Sequence, residues 1–89
     1  MEIIIYSKNN CVFCNKAKHM VKALGYKYTE KKMEEFDSPQ AMLEDIGQQV
    51  RTMPQIKIDG KLVGGYNQLV EYFADQGKVN FKGEIIDKG

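Results

Sequence analysis

The residues most capable of chemistry are the two cysteines of this 89-residue chain, Cys11 and Cys14, which are separated by two residues. A strand pattern precedes them and a helical pattern follows, so both thiols are predicted near a helix N-terminus. Free backbone N–H groups and the positive end of the helix dipole favour a thiolate there. Lys8, Lys18 and Lys22 are expected to add positive potential. We therefore predict an exposed, nucleophilic Cys11 with a lowered pKa, and Cys14 as the resolving thiol at the edge of the buried helix face.

Thiol–disulfide exchange is the chemistry that this spacing favours, and four alternatives stay open. A zinc site needs about four ligands, whereas the chain offers two cysteines and His19. A bridging iron–sulfur cluster would need thiolates from a second chain or another molecule. A purely structural disulfide would close a very small loop and stabilise little. The two thiols could also be inert and buried in the helix.

The elements that must position the cysteines follow from the spacing of apolar residues. Four features mark their limits: the Asn9–Asn10 cap, Gly25 after the first helix, Ser38 before Pro39, and the Asp59–Gly60 turn. The predicted elements are a strand at Glu2–Tyr6, a helix at Cys11–Leu24, a strand at Tyr26–Thr29, a helix from Pro39, strands at Gln55–Ile58 and Lys61–Val63, and a helix at Asn67–Gln76. This order, β-α-β-α-β-β-α, predicts an α/β fold with a four-stranded mixed sheet and helices on both faces.

Composition limits the functional classes. Hydrophobic residues make up 43% of the chain, charged residues 28%, and the formal net charge is +1. This balance indicates a globular domain and argues against a nucleic-acid partner. Apolar runs are too short to span a membrane, and no export signal is visible at the amino terminus. We therefore expect a cytoplasmic protein without a membrane partner.

Two further segments have both a structural and a binding interpretation. Thr52-Met53-Pro54 precedes a strand, where Pro54 could simply end a loop, or Met53 could present its backbone to an extended ligand if the peptide bond is cis. Arg51, beside it, could pair with a ligand carboxylate. Gly64-Gly65-Tyr66-Asn67 opens the last helix and could be a tight turn or an anion-binding N-terminus.

Three motifs, in this order, resemble those of the dithiol glutaredoxins of the thioredoxin-like superfamily. They are Cys11-Val12-Phe13-Cys14, Thr52-Met53-Pro54-Gln55-Ile56 and Gly64-Gly65-Tyr66-Asn67-Gln68-Leu69. The resemblance extends from Met1 to about Gly77 and looks closest to the small glutaredoxins of tailed phages, which supply electrons to ribonucleotide reductase. Residues 1–77 are accordingly predicted to form the glutaredoxin-like domain, and residues 78–89 a C-terminal extension.

The resemblance implies a thioredoxin-like fold and glutathione-dependent reduction of disulfides by a monomer without a tightly bound cofactor. Glutathione would be the co-substrate, and disulfide-containing proteins, ribonucleotide reductase among them, would be the substrates. A phage protein would act in the host cytoplasm. Cys11 would be the nucleophile, Cys14 the resolving thiol and Pro54 a cis-proline. The implied glutathione-binding residues are Lys8, Phe13, Arg51, Thr52, Met53, Pro54, Gly65, Tyr66 and Asn67.

Two departures from the family pattern bear on these roles. The common active site is Cys-Pro-Tyr-Cys, whereas Val12 and Phe13 stand between the cysteines here. This change affects the redox potential, for which about 30 mV corresponds to about 1.4 kcal/mol. Asn67 stands where an aspartate is common, and an amide holds the ammonium group of glutathione more weakly than a carboxylate does. A flavoprotein reductase is therefore an alternative source of electrons, although the chain has no tryptophan and so lacks the thioredoxin Trp-Cys-Gly-Pro-Cys sequence.

Overall fold

The helices and strands of the chain follow the predicted order. A computed structural model describes residues 1–80, 82 and 84–86. The elements are β1 (Ile3–Ser7), α1 (Val12–Ala23), β2 (Thr29–Lys32), a short 3-10 helix (Met33–Glu35), α2 (Pro39–Ile46), β3 (Gln55–Ile58), β4 (Lys61–Gly64) and α3 (Tyr66–Asp75). None of the helices in these described ranges is long and apolar enough to cross a bilayer.

The four strands form one mixed sheet in the order β2-β1-β3-β4. β1 pairs in parallel with β2 and antiparallel with β3, and β3 pairs antiparallel with β4. The turn between β3 and β4 uses Asp59 and Gly60, both with positive φ, as the sequence predicts for a tight hairpin. The predicted thioredoxin-like architecture is therefore confirmed.

Helices cover both faces of the sheet, because alternate residues of β1 point to opposite sides. Ile3 and Ile5 belong to the larger apolar cluster, which includes residues of α1 and α3. Tyr6 belongs to a second cluster with Met42 and Ile46 of α2. These side chains are at most 2% exposed. β1 is thus central, and it delivers its carboxyl end to the loop that carries the cysteines.

A buried tyrosine holds α2 against the sheet. The Tyr6 hydroxyl donates a hydrogen bond to Asp45 Oδ2 at 2.7 Å, and Lys31 Nζ lies 3.0 Å from the same oxygen. Hydrogen bonds from Tyr6 and then Lys31 lower the pKa of Asp45. Burial, followed by the hydrogen bond to Asp45, raises the pKa of Tyr6. The phenol therefore stays a donor, and the carboxylate an acceptor, at neutral pH.

The second strand differs from its predicted position, Tyr26–Thr29, and lies instead at Thr29–Lys32. After Gly25, with φ +87°, the Tyr26 N–H donates to the Val21 carbonyl and ends α1. Tyr26 and Tyr28 then pack against the larger apolar cluster outside the ladder. Tyr26 and Tyr28 suggested a strand because tyrosine is common in strands, but here they are packing residues. The strand itself is at the edge of the sheet, where the charges of Glu30, Lys31 and Lys32 are tolerated.

The predicted C-terminal extension, residues 78–89, lies partly outside the described residues, since 81, 83 and 87–89 are not described. Val79 is 1% exposed and belongs to the larger apolar cluster. Val79 forms an antiparallel bridge with Ile85, and the Ile86 N–H donates to the Lys78 carbonyl at 3.0 Å. The described part of the extension therefore folds back on itself and packs against the body of the domain.

Candidate redox-active site

Cys11 and Cys14 are joined by a disulfide at the start of α1, with their Cα atoms 5.2 Å apart. Cys11 is the N-cap of the helix, and the backbone N–H of Cys14 donates to Cys11 Sγ at 3.2 Å. The expected asparagine cap is therefore wrong. Asn10 adopts a left-handed conformation, φ +56°, that asparagine tolerates. The helix begins after this turn, so that the cysteine sulfur takes the capping position.

The two sulfurs differ in accessibility. Cys11 is 9% exposed and Cys14 1%. The expectation that Cys11 is freely exposed is wrong, because the loop before β3 lies close to it and the Met53 carbonyl oxygen is 3.6 Å from Cys11 Sγ. Cys11 is nevertheless the more accessible of the pair, and an incoming sulfur would reach it first.

A charged network lies beneath the start of α1. Lys18 Nζ is 2.8 Å from Glu30 Oε2, and the buried Ser7 hydroxyl donates to the same oxygen at 2.7 Å. The hydrogen bond from Lys18, and to a lesser extent that from Ser7, lowers the pKa of Glu30 against the opposing effect of burial. Lys18 was expected to add positive potential near Cys11, and instead its charge is matched by a carboxylate. Lys8 and Lys22 are exposed.

A cavity of about 250 Å³, which we call the cis-proline cavity, brings together most of the predicted glutathione-binding residues. The peptide bond between Met53 and Pro54 is cis, as the resemblance implies. The rings of Phe13 and Tyr66 face each other across 5.7 Å. The lining residues are Phe13, Thr52, Met53, Pro54, Gly65, Tyr66, Asn67 and Gln68.

Gln68 is the residue of this cavity that the sequence analysis missed. Its side-chain Oε1 accepts a hydrogen bond from the Gly65 N–H at 3.0 Å and so caps α3. Gly64 has φ +126°, and a Cβ atom there would lie 2.9 Å from Gln68 Cγ. The available signal was a glutamine three residues after the N-cap, the spacing of a capping box. Gly64 thus gives this glutamine the room to reach back over the first turn of α3.

The two predicted cationic residues lie beside this cavity rather than in it. Lys8 and Arg51 line a smaller, neighbouring cavity of about 130 Å³. Met53 lines both cavities and separates them. The structure therefore brings Lys8 and Arg51 together in a cavity that shares Met53 with the cis-proline cavity.

The histidine considered as a metal ligand, His19, is exposed on α1. Within residues 1–80, 82 and 84–86, no three His, Cys, Asp or Glu side chains are grouped as ligands for a metal ion. In the described part of the chain, the two cysteines are therefore not joined by a third side chain that could complete a metal site.

Comparison with known proteins identifies the family. Residues 3–63 match the glutaredoxin family model. Glutaredoxin-C4 of Arabidopsis thaliana is 31% identical over 74 residues, which cover 81% of this chain and 55% of that protein. The chain thus spans less than two thirds of the length of this curated relative. The structure of glutaredoxin 1 from Francisella tularensis, complexed with cacodylate, aligns with TM-score 0.70 and 25% identity over 84% of this chain and 93% of its own.

A second solved structure contains glutathione. The buckwheat glutaredoxin–glutathione complex aligns with TM-score 0.69 and 28% identity, and the match covers 83% of this chain and 69% of the buckwheat chain. The family model spans more than half of the chain and includes the disulfide and the cis-proline. This chain belongs to the glutaredoxin family.

Proposed function

We propose that this protein is a thiol–disulfide oxidoreductase that reduces protein disulfides and glutathione mixed disulfides with electrons from glutathione. The observation that carries the proposal is the asymmetric pair of cysteines at the start of α1. Cys11 Sγ accepts the Cys14 backbone N–H and is the more accessible sulfur, whereas Cys14 is buried. A helix N-terminus and an N–H donor stabilise a thiolate, so Cys11 is suited to nucleophilic attack.

The reductive half-reaction of the substrate uses both thiols. The Cys11 thiolate attacks one sulfur of the substrate disulfide, which forms a mixed disulfide and releases the other sulfur as a thiolate. Cys14, after losing its proton, attacks the Cys11 sulfur, so the remaining substrate thiolate leaves and takes up a proton. Two electrons pass to the substrate, and the enzyme ends as the Cys11–Cys14 disulfide seen here.

Glutathione would return the electrons in two further exchanges. The thiolate of one glutathione attacks the accessible Cys11 sulfur and frees the Cys14 thiol. A second glutathione thiolate attacks the glutathione sulfur of this mixed disulfide, which yields glutathione disulfide and the Cys11 thiolate. The buckwheat relative, which has a structure in complex with glutathione, supports this choice of reductant.

The cis-proline cavity is the proposed site of glutathione. Its lining offers the Met53 backbone and, at the N-terminus of α3, the backbone N–H groups near Tyr66 and Asn67, which suit an anionic or peptide-like ligand. Lys8 and Arg51, in the neighbouring cavity, are close to Met53 and suit the carboxylate at the other end of the tripeptide. Ribonucleotide reductase is a candidate protein substrate, and a cytoplasmic location a candidate site of action, on the resemblance stated above.

Two cysteine variants test the assignment of roles. With a small glutathione mixed disulfide, glutathione and glutathione reductase, we expect Cys11→Ser to lower the rate by about 100-fold or more, because the nucleophile is lost. Cys14→Ser should retain a substantial monothiol activity, since a second glutathione can resolve the Cys11 mixed disulfide. Equal, full activity of both variants would contradict the assignment.

Two further measurements separate the alternatives. If thioredoxin reductase with NADPH recharges the wild-type disulfide and glutathione does not, the flavoprotein is the electron source. If the protein purified without oxygen is a brown dimer with visible absorbance and reduces no disulfide, it is an iron–sulfur module. A colourless protein that turns over with glutathione supports the proposal.

A further inference from the structure

A second cavity, larger than the cis-proline cavity, begins at Val12, the residue that follows Cys11. It has a volume of about 410 Å³ and lies along the exposed face of α1. We call it the α1 groove. Its apolar walls include Val12, Met20, Tyr66 and Ile85, and Lys16 and His19 are among its remaining lining residues. Val12 is 66% exposed, so the groove presents apolar surface to solvent at the position next to Cys11.

The α1 groove and the cis-proline cavity are neighbours. Tyr66 lines both cavities, and its ring faces that of Phe13. The two residues between the cysteines separate accordingly: Val12 lines the groove, and Phe13 lines the cis-proline cavity. A glutathione mixed disulfide that approaches Cys11 has two halves, the glutathione that becomes bonded to Cys11 and the polypeptide that leaves as a thiolate, and each half has a cavity available to it.

The C-terminal extension supplies one wall of the groove. Ile85 is held by its antiparallel bridge to Val79 and by the neighbouring hydrogen bond from the Ile86 N–H to the Lys78 carbonyl. These residues lie beyond the segment matched by the family model, residues 3–63. The groove is therefore a feature of this chain's extension and not of the matched region alone.

The groove has a basic rim. Helix α1 contains Lys16, Lys18, His19 and Lys22 and no acidic residue. The ion pairs within the described part of the chain engage Lys18 and Lys31, which leaves Lys16 without a carboxylate partner there. Its ammonium group lies 5.2 Å from the centre of the Phe13 ring, which lines the cis-proline cavity. An apolar groove with this rim complements a ligand that has both apolar and acidic groups.

The acidic residue next to Ile85 in the sequence does not neutralise the positive charge of this rim. Glu84 precedes Ile85, and its side chain accepts a hydrogen bond from Asn80 Nδ2 at 3.2 Å within the extension. The Asn80 side chain in turn accepts the Glu84 backbone N–H at 3.0 Å. The Glu84 carboxylate is thus directed to its own turn and leaves Lys16 available to a ligand.

We propose that the α1 groove binds the polypeptide half of a glutathione mixed disulfide, and that it selects substrates whose cysteine is flanked by apolar and acidic residues. The proposal rests on the proposed function, because the groove holds the polypeptide while the Cys11 thiolate attacks the glutathione sulfur and the polypeptide leaves as a thiolate. The glutathione half occupies the cis-proline cavity, which shares Tyr66 with the groove. Apolar side chains of the substrate bury against Val12 and Ile85, and its acidic side chain pairs with Lys16.

Three short peptides, each as a mixed disulfide with glutathione, provide the test. Their sequences are Glu-Leu-Cys-Leu-Glu, Lys-Leu-Cys-Leu-Lys and Glu-Ser-Cys-Ser-Glu. The wild type should have the highest kcat/KM for the first peptide, by roughly fivefold or more over each of the others. Equal values for the three peptides, with normal turnover of each, would overturn the proposal and leave the proposed function intact. If no mixed disulfide is turned over, the proposed function itself fails.

Charge reversal tests the rim without disturbing the core. In Lys16→Glu, the preference for the acidic over the basic peptide should disappear or reverse. Lys22→Glu is the matched control, since it makes the same change on the same exposed helix outside the groove. The ratio of the two kcat/KM values cancels any general effect on the reactivity of Cys11. If both variants change the ratio equally, the helix acts only through its total charge, and the groove assignment is wrong.

The apolar wall is tested by neighbouring residues of the extension. Ile85→Ser should remove the preference for Leu over Ser beside the substrate cysteine, whereas Ile86→Ser, an exposed position outside the groove, should keep it. Turnover of bis(2-hydroxyethyl) disulfide with glutathione, which has no peptide half, should be unchanged in Ile86→Ser. Circular dichroism shows that each variant is folded. A preference for Leu over Ser that survives in Ile85→Ser would overturn the proposal. The proposal would also be overturned if the wild type is a dimer at assay concentrations and Lys16→Glu dissociates it.

Discussion

At the scale of single residues, Cys11 and Cys14 occupy different environments although they are one helical turn apart. Cys11 accepts a backbone N–H and is 9% exposed, and Cys14 is 1% exposed. Burial without a charged partner disfavours a thiolate, whereas the N-cap position favours one. In the proposed mechanism this difference sets the order of events: external sulfurs exchange at Cys11, and Cys14 reacts only from within the protein.

Asn67 provides a prediction at this scale. It is the second residue of α3 and lines the cis-proline cavity. A carboxylate at this position would attract the ammonium group of glutathione more strongly than the amide does, because it adds the attraction between opposite charges to the hydrogen bond. We expect Asn67→Asp to lower KM for glutathione by roughly three- to tenfold, measured with glutathione reductase and a small disulfide.

The control for this change is Gln40→Glu, an exposed substitution of the same charge near the start of α2. It should leave KM unchanged, because it lies outside the cis-proline cavity. An Asn67→Asp variant with an unchanged or higher KM would contradict the placement of the glutathione ammonium group.

Much of this chemistry could be read from the sequence, because Cys11, Pro54 and Tyr66 belong to short motifs with fixed spacing. The sequence did not reveal the burial of Cys11, since this depends on Met53, which is 42 residues distant along the chain. Gln68 was overlooked because its capping bond to Gly65 is set by the conformation of Gly64. Local motifs therefore indicate which residues react, whereas contacts between distant segments determine how accessible they are.

At the scale of elements, the Lys18–Glu30 ion pair links α1 to β2. Lys18 is one turn beyond Cys14 on the helix, and Glu30 lies on the edge strand. The Ser7 hydroxyl, at the end of β1, donates to the same carboxylate. Three elements therefore meet at one carboxylate, and the pair helps to fix the orientation of α1.

This pair predicts a defined dependence of stability on pH. The pKa of Glu30 is lowered in the folded state, chiefly by the hydrogen bond from Lys18. Its stabilisation is therefore present above the unfolded-state pKa of about 4.5 and is lost as the pH falls through the lowered folded-state value. Glu30→Gln should lower the free energy of unfolding at pH 7 by about 1 kcal/mol and flatten its decline between about pH 5 and pH 3.

Urea unfolding at pH 7 and pH 3.5 measures both effects. Glu44→Gln, the same change on the exposed face of α2, should alter the free energy of unfolding by less than about 0.5 kcal/mol. A double-mutant cycle with Lys18→Met should give a coupling energy of about 1 kcal/mol at pH 7. A coupling energy of zero would show that the ion pair contributes nothing to stability.

The helices were easier to predict than the second strand. Pro39 after Ser38 marks the start of α2, and the Ser38 hydroxyl indeed accepts the Ala41 N–H. β2 has no comparable local signal, because its polar residues pair only with β1 at the edge of the sheet. Its register is set by where the chain returns from α1, which is a property of the packed sheet and not of the strand's own residues.

At the scale of the whole molecule, the extension contributes to the core. Val79 is 1% exposed within the larger apolar cluster, whereas Ile86 is 55% exposed. We expect Val79→Ala to lower the free energy of unfolding by about 2 kcal/mol, because it removes buried methyl groups and leaves a cavity. For a domain of this size, the melting temperature should fall by roughly 10 °C.

Ile86→Ala, the exposed neighbour, should change the free energy of unfolding by less than about 0.5 kcal/mol. Thermal unfolding followed by circular dichroism compares the two variants with the wild type. Equal stability of all three would show that the domain is complete at residue 77, the boundary predicted from the sequence.

The edge strand β2 has a consequence for the solubility of the protein. An unpaired strand edge exposes backbone groups that can recruit a strand from another molecule, which is a route to aggregation. β2 is only four residues long and presents Lys31 and Lys32 beside Glu30. Short length and charged side chains oppose such recruitment, because few backbone pairs can form and the charges would have to lose water. We therefore expect concentrated solutions of this protein to resist fibril formation through this edge.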